Sequence, residues 1–306
     1  MSRKWLVSLL VLAVAALGIN TSVSAQNSGD IIVDPVFQEV VIQPRPNTQY
    51  SDFKITNNTG SEQTFNLRAV DFGSLNETGG VAFIGINNPD SGYKYGLSPW
   101  FNPQQSAVNL AAGETKEIKV KISDIKSMTP GGHYGAILVE PQNTNPGGED
   151  SKVALSQVIS SLFLVKKVGG EIYNLELVSS DVSSSAFRFP SSASLKFHNG
   201  GNVHLVPRGT VVVRNSSGNI ISEGLINNGS GFILPESNRQ LYVGLQKRAN
   251  AWLPGKYYVD INYRYDGNDE FKTKTLEVYY AGKIVLFLPI IFVVFALVFW
   301  LIRKRK

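Results

Sequence analysis

The sequence predicts an all-β protein: two tandem immunoglobulin-like β-sandwiches followed by a single transmembrane α-helix. Three observations predict it. Apolar and polar residues alternate at period two in runs such as Ile118/Val120/Ile122 and Val259/Ile261/Tyr263/Tyr265, as half-buried strands require. A strand-and-turn motif occurs once in each half of the chain. An uncharged stretch, Ile284 to Ile302, runs directly into Arg303-Lys304-Arg305-Lys306.

The N-terminus reads as a signal peptide, 1–25. Arg3 and Lys4 precede an apolar run from Trp5 to Leu17, and Val23-Ser24-Ala25 offers small residues for cleavage. The mature chain is expected to begin at Gln26. At the other end, 284–302 is read as the transmembrane helix, because a span needs roughly 17–25 residues at helical rise. Residues 303–306 form a basic tail, placed in the cytoplasm because basic residues stay on that side. The expected location is therefore the bacterial cell membrane, single-pass, with the N-terminal ectodomain extracellular.

Charge supports this division. Six of the 29 Lys and Arg lie in the two ends, which leaves 23 cations against 24 Asp and Glu between them. The pI near 9.2 thus comes from the ends, and no basic surface suggests nucleic acid as a partner. The chain has no cysteine, which excludes disulfides, thiol catalysis and Cys-zinc sites.

The repeat sets the domain count. Leu110-Ala-Ala-Gly-Glu-Thr-Lys-Glu-Ile-Lys-Val leads to Pro130-Gly-Gly-His-Tyr134; Leu234-Pro-Glu-Ser-Asn-Arg-Gln-Leu-Tyr-Val leads to Pro254-Gly-Lys-Tyr-Tyr258. Each half has an earlier strand ending in an Asn/Gly turn, Ile55-Thr-Asn-Asn-Thr-Gly60 and Phe197-His-Asn-Gly-Gly-Asn202. Such turns end and launch strands. One sandwich is assigned to 26–168 and the second to 169–281, dividing near Gly169-Gly170. Lys166-Lys167 are read as solvated residues at the junction, and Tyr279-Tyr280 as an interfacial aromatic belt.

Between Phe72 and Pro103 the first half carries an extra stretch rich in aromatic residues, Gly, Asn and Pro. Tyr93, Tyr95, Trp100 and Phe101 are the candidate ligand-binding residues. Exposed Trp and Tyr rings stack on sugar faces and anchor protein interfaces. The competing reading has Trp100 and Phe101 plugging the sandwich.

Catalytic signals are poor. His198 and His204 bracket Asn199 to Val203 without a carboxylate at metal-ligand spacing, and His133 sits in a Pro-Gly turn. There is no Gly-x-Ser-x-Gly elbow, no His-Glu-x-x-His and no P-loop. The expectation is a non-enzymatic protein without metal or cofactor.

With Ile55 to Gly60, Leu110-Ala-Ala-Gly-Glu and Pro130-Gly-Gly-His-Tyr-Gly-Ala-Ile137, the first half resembles the N-terminal domain of WxL-interacting bacterial surface proteins. That resemblance implies two immunoglobulin-like domains, a signal peptide and an anchoring helix. It also implies peptidoglycan binding by the first domain and host or protein binding by the second. Phe197 to Gly209 departs from that family's second domain and looks like a general bacterial surface sandwich motif. The strand-and-turn pattern of the first half is also similar to periplasmic pilus chaperones.

The leading functional expectation is a membrane-anchored module binding cell-wall polymer or a surface protein. The alternative is a chaperone-like or assembly subunit acting on secreted proteins by β-strand addition, with Val33 to Ile42 as the edge strand. A cell-wall hydrolase ranks third.

Overall fold

The structure is a computed structural model that describes residues 31–85, 92–142, 159–282, 285 and 287–304. The expected signal peptide lies outside these residues. The described residues are all-β apart from a 3-10 turn at Ser98–Trp100 and a C-terminal α-helix.

In the first half the strands are β1 (Ile31–Asp34), β2 (Phe37–Ile42), β3 (Thr48–Asn57), β4 (Gln63–Leu75), β5 (Gly80–Ile84), β6 (Phe101–Pro103), β7 (Ala107–Leu110), β8 (Thr115–Ser123), β9 (Gly131–Pro141) and β10 (Ile159–Lys167). One sheet has the order β1-β3-β8-β6; the other runs β2-β10-β9-β4-β5, with β7 also on β4. Pairing is antiparallel except that β2 runs parallel to β10, with Phe37 opposite Leu162 and Ile42 opposite Lys167. The first strand segment therefore changes sheets between Asp34 and Phe37.

Period-two alternation places the core. Ile118, Val120 and Ile122 are fully buried while Glu117, Lys119 and Lys121 between them are exposed. They meet Phe53 and Ile55 of their own sheet and Phe163, Val165, Ile137 and Val139 of the facing one. Burying a side chain of this size contributes about 1.5–3 kcal/mol.

The second half contains β11 (Leu175–Val182), β12 (Ser192–Asn199), β13 (Arg208–Asn215), β14 (Ile220–Ile226), β15 (Asn238–Gly244), β16 (Gln246–Lys247), β17 (Gly255–Tyr265) and β18 (Asn268–Tyr280). Its sheets have the orders β11-β12-β15 and β16-β14-β13-β17-β18. A second core, built on Leu195, Phe197, Val211, Val213, Val259 and Ile261, lies between them. Tyr280 is buried there against Tyr257 and Phe189, which removes it from the expected interfacial belt. Tyr279 is exposed.

A third cluster joins the halves. Val70, Phe72, Tyr95, Tyr134, Ala136, Leu138 and Leu164 from the first half meet Leu234 and the partly buried Phe232. Lys167, expected in solvent, is buried. Its ammonium donates to the carbonyls of Ile125 and Met128.

The C-terminal helix α1 (Leu288–Lys304) corrects the membrane assignment. Among the described residues no helix is long and apolar enough to cross a membrane. Helix α1 has 17 residues and its last two are Arg303 and Lys304, so fifteen are uncharged. At 1.5 Å per residue these cover about 22 Å, short of a hydrocarbon core about 30 Å thick. The assignment of 284–302 as a transmembrane helix, the basic cytoplasmic tail and the single-pass location are withdrawn on this finding. Arg303 and Lys304 belong to the last helical turn, where cations complement the helix dipole.

Candidate functional site

Where the two halves meet, the aromatic stretch folds back on its own sheet, and Asp71 of β4 causes it. Asp71 is buried, and its Oδ1 accepts from the backbone N–H of Leu97 (2.7 Å) and of Ser98 (2.7 Å). Oδ2 accepts from Ser98 Oγ at 2.9 Å. Gly96 is required beside it, since a Cβ there would lie 2.4 Å from Oδ2. Tyr95 C=O then accepts from Tyr134 N–H (2.7 Å). His133 is buried, not exposed in a turn; its Nδ1 lies 3.1 Å from Gly96 O and its Nε2 2.9 Å from Thr129 O.

This folding separates the four candidate residues. Phe101 is fully buried in the first core, edge-on to Phe163 with centroids 4.7 Å apart. Tyr95 is buried at the junction, where its hydroxyl donates to Glu236 at 3.0 Å. These two rings are packing elements and not free stacking surfaces. Tyr93 and Trp100 remain half-buried. Trp100 donates from Nε1 to Ser127 Oγ (2.7 Å) and stands edge-on to His133. Together with Lys94, Ser98 and Pro99 they flank a groove of about 300 Å³ with Asp71 in its wall. Asn87 and Asn88 of the same stretch lie outside the described residues.

A second feature is the open edge of the first half. Strands β1 and β2 are each the outermost strand of their sheet. Leu162 N–H donates to Val36 O and Val168 N–H to Ile42 O. Even-numbered residues of β2 therefore turn their backbone toward β10. By the alternation of a parallel ladder, Phe37, Glu39 and Val41 direct their N–H and C=O groups outward. Around this edge Ile32, Val36, Phe37 and Val41 are exposed apolar side chains.

The edge borders the second half. Phe37 contacts Phe232 with centroids 6.3 Å apart. Glu39 accepts from Lys166 Nζ at 3.1 Å and lies 3.4 Å from His204 Nε2. Tyr134 Oη is 3.4 Å from His204 Nδ1, so the Nε2–H tautomer lets one buried ring bridge Tyr134 and Glu39. The His204 hydrogen bond, with help from Lys166 and against burial, lowers the Glu39 carboxyl from 4.5 to about 2. Burial holds the Tyr134 hydroxyl well above the usual phenol range. Sequence reasoning found the edge segment but not Glu39, Lys166 or His204 as a group, because no spacing links residues so far apart in the chain.

No family model and no curated protein matches the chain, so nothing supports membership of the WxL-interacting family. The chain is similar to solved structures of pilus chaperones, the second resemblance noted. One is a chain of the chaperone–tip adhesin complex of CFA/I fimbriae, at 14% identity, covering 82% of this chain and 99% of that one, TM-score 0.42. Another is the class 5 fimbriae chaperone CfaA, at 12% identity, covering 80% and 98%, TM-score 0.40. A third comes from the Salmonella enterica SafA pilin in complex with the SafB chaperone, at 11% identity, covering 80% and 96%, TM-score 0.38. At these identities the likeness concerns the backbone arrangement alone.

Proposed function

We propose that this chain is a non-enzymatic binding module, made of two sandwich domains dividing near Gly169-Gly170. It takes an extended segment of a partner protein onto the edge of β2. One observation carries the reading: the backbone groups of Phe37, Glu39 and Val41 point away from β10 on an outermost strand rimmed by exposed apolar side chains. A strand added there gains main-chain hydrogen bonds, and alternate side chains give it specificity. Natural edges are usually blunted by charge or proline; on the open side of β2 the only charged residue is Glu39, already engaged by Lys166. This favours the chaperone-like alternative over the wall-polymer reading.

The test is amide hydrogen exchange on the full chain with an eleven-residue peptide of alternating Val and Thr. Protection should develop at Phe37, Glu39 and Val41, and Val41→Pro, which removes one outward N–H but no bond to β10, should abolish it. Absence of protection at these amides, or protection surviving in Val41→Pro, defeats the proposal.

A second reading rests on the groove flanked by Tyr93 and Trp100, which could seat a sugar or peptide of a surface polymer. Binding to isolated cell walls that is lost in Trp100→Ala would establish it.

A further inference from the structure

The two sheet edges of the second half touch at one point, where a Cβ on Gly224 would lie 2.3 Å from Gly244 O, and elsewhere they are incompletely paired. Strand β15 is paired only on its β12 side, and β14 is paired with β16 only at Ser222 and Glu223. From Asn227 to Ser237, between these strands, the chain forms no strand. Instead a loop closes on itself: Asn227 Nδ2 donates to Pro207 O and Gly231 O, and Gly231 N–H returns to Asn227 Oδ1. A groove of about 660 Å³ opens beside this loop, with Glu223, Leu225, Arg239 and Tyr242 in its lining.

The walls of this groove offer main-chain partners. Gln240 N–H points outward, because it donates to Glu77 O of the first half. Two residues on, the backbone of Tyr242 points the same way. Across the groove Arg248 N–H and Ala249 N–H both reach Ile221 O and Glu223 pairs with Gln246, so of the outward-facing residues of β14, Ile221, Glu223 and Leu225, only Leu225 lies beyond the β16 pairing. The side chains of Leu225 and Tyr242 are 61% and 77% exposed on the rim.

The charge is not balanced. Glu223, the carboxylate in the lining, is held by Arg248 at 2.6 Å. Arg239 also lines the groove and, among the described residues, meets no carboxylate. Its Nη1 donates to Phe232 O at 2.6 Å, and its Nε, sealed near Gly79, has no acceptor. Burial lowers its pKa, the mark of a cation short of compensating partners. Planar guanidinium groups in this condition select carboxylates.

We propose that the groove between β14 and β15 binds an extended segment of a partner protein that carries a carboxylate side chain, with Arg239 as the residue that selects it. This site is separate from the β2 edge, and the two can be tested apart.

The probes are two fluorescein-labelled peptides of alternating Val and Thr, one with a central Asp and one with Asn in its place, titrated into the full chain. The Asp peptide should bind about tenfold more tightly, a difference of about 1.4 kcal/mol, and should protect the amides of Leu225 and Tyr242 from exchange. Arg239→Gln should erase the preference, Arg239→Lys should keep part of it, and Val41→Pro should leave it intact. Circular dichroism identifies any variant that fails to fold. Equal affinity of the two peptides for the unaltered chain, no binding of either, or protection of Tyr242 by self-association in their absence overturns the proposal without any variant. A tenfold preference retained by folded Arg239→Gln overturns it as well.

Discussion

Asn57 and Asn199 occupy the same structural position in the two halves. Each is fully buried at the end of a core strand, and each spans to the segment that carries the repeated Leu. Asn57 Nδ2 donates to Ser61 O, Leu110 O and Ala111 O; Asn199 Nδ2 donates to Val203 O and Ile233 O. Their Oδ1 atoms each accept a backbone N–H two residues on, from Thr59 and Gly201. The repeated Asn is thus a cross-brace between two loops.

Replacing either Asn by Ala strands several buried carbonyls, and each unmet group costs about 1–3 kcal/mol. Asn57→Ala and Asn199→Ala should each lower stability by about 2–3 kcal/mol in urea titrations. Asn102→Ala, at an exposed position, should change it by under about 0.5 kcal/mol.

Glu39 makes the junction sensitive to acid. Its carboxyl is lowered in the folded state from 4.5 to about 2, so its contribution is present above pH 4.5 and is lost as pH falls towards 2. The side chain is 49% exposed, and solvent screening reduces the contribution to about 1 kcal/mol. Stability measured between pH 5 and pH 2 should fall less steeply in Glu39→Gln than in the unaltered chain. Parallel curves would show that the His204 and Lys166 contacts do not stabilise the fold.

Phe101 and Trp100 should part company under substitution. Phe101→Ala opens a cavity in the first core and should cost about 3–5 kcal/mol. The half-buried Trp100 loses a partial contact and one hydrogen bond to Ser127, so Trp100→Ala should cost about 1–2 kcal/mol. Thermal unfolding of both variants checks the order, and a reversed order would reassign the core.

Lys167 is a buried ammonium that holds the carbonyls of Ile125 and Met128. Lys167→Met keeps the stem but leaves both acceptors without a donor, and should cost about 2–3 kcal/mol in urea titrations. A neutral result would mean that water replaces the ammonium.

The strands were legible because alternation is a local signal: Glu117 to Ile122 reads the same in sequence and in structure. The Asn/Gly and Pro-Gly turns were legible for the same reason, since Gly131 and Gly255 begin β9 and β17 after Pro130 and Pro254. What failed was non-local. Tyr95 read as an exposed ring because the Asp71 contacts that fold the aromatic stretch inward come from a strand more than twenty residues away. Tyr280 looked interfacial beside an apolar run, but its partners Tyr257 and Phe189 lie far back in the chain. The helix failed on length, since an uncharged run does not report how many of its residues become helical. Arg239 gave no signal, for whether a cation meets a carboxylate is visible only once its neighbours are placed.

The contact from Gln240 N–H to Glu77 O has a further effect. An outermost strand with free backbone groups can pair with its counterpart in another molecule, and repeated pairing ends in aggregates. The turn that carries Glu77 stands across β15 at Gln240, and Lys196 fastens it there with a 2.6 Å ion pair to the Glu77 carboxylate. Any ladder begun at Tyr242 therefore stops after a residue or two. The first half works as a doorstop for the second, standing in the way of a ladder that would otherwise run along β15 into another molecule.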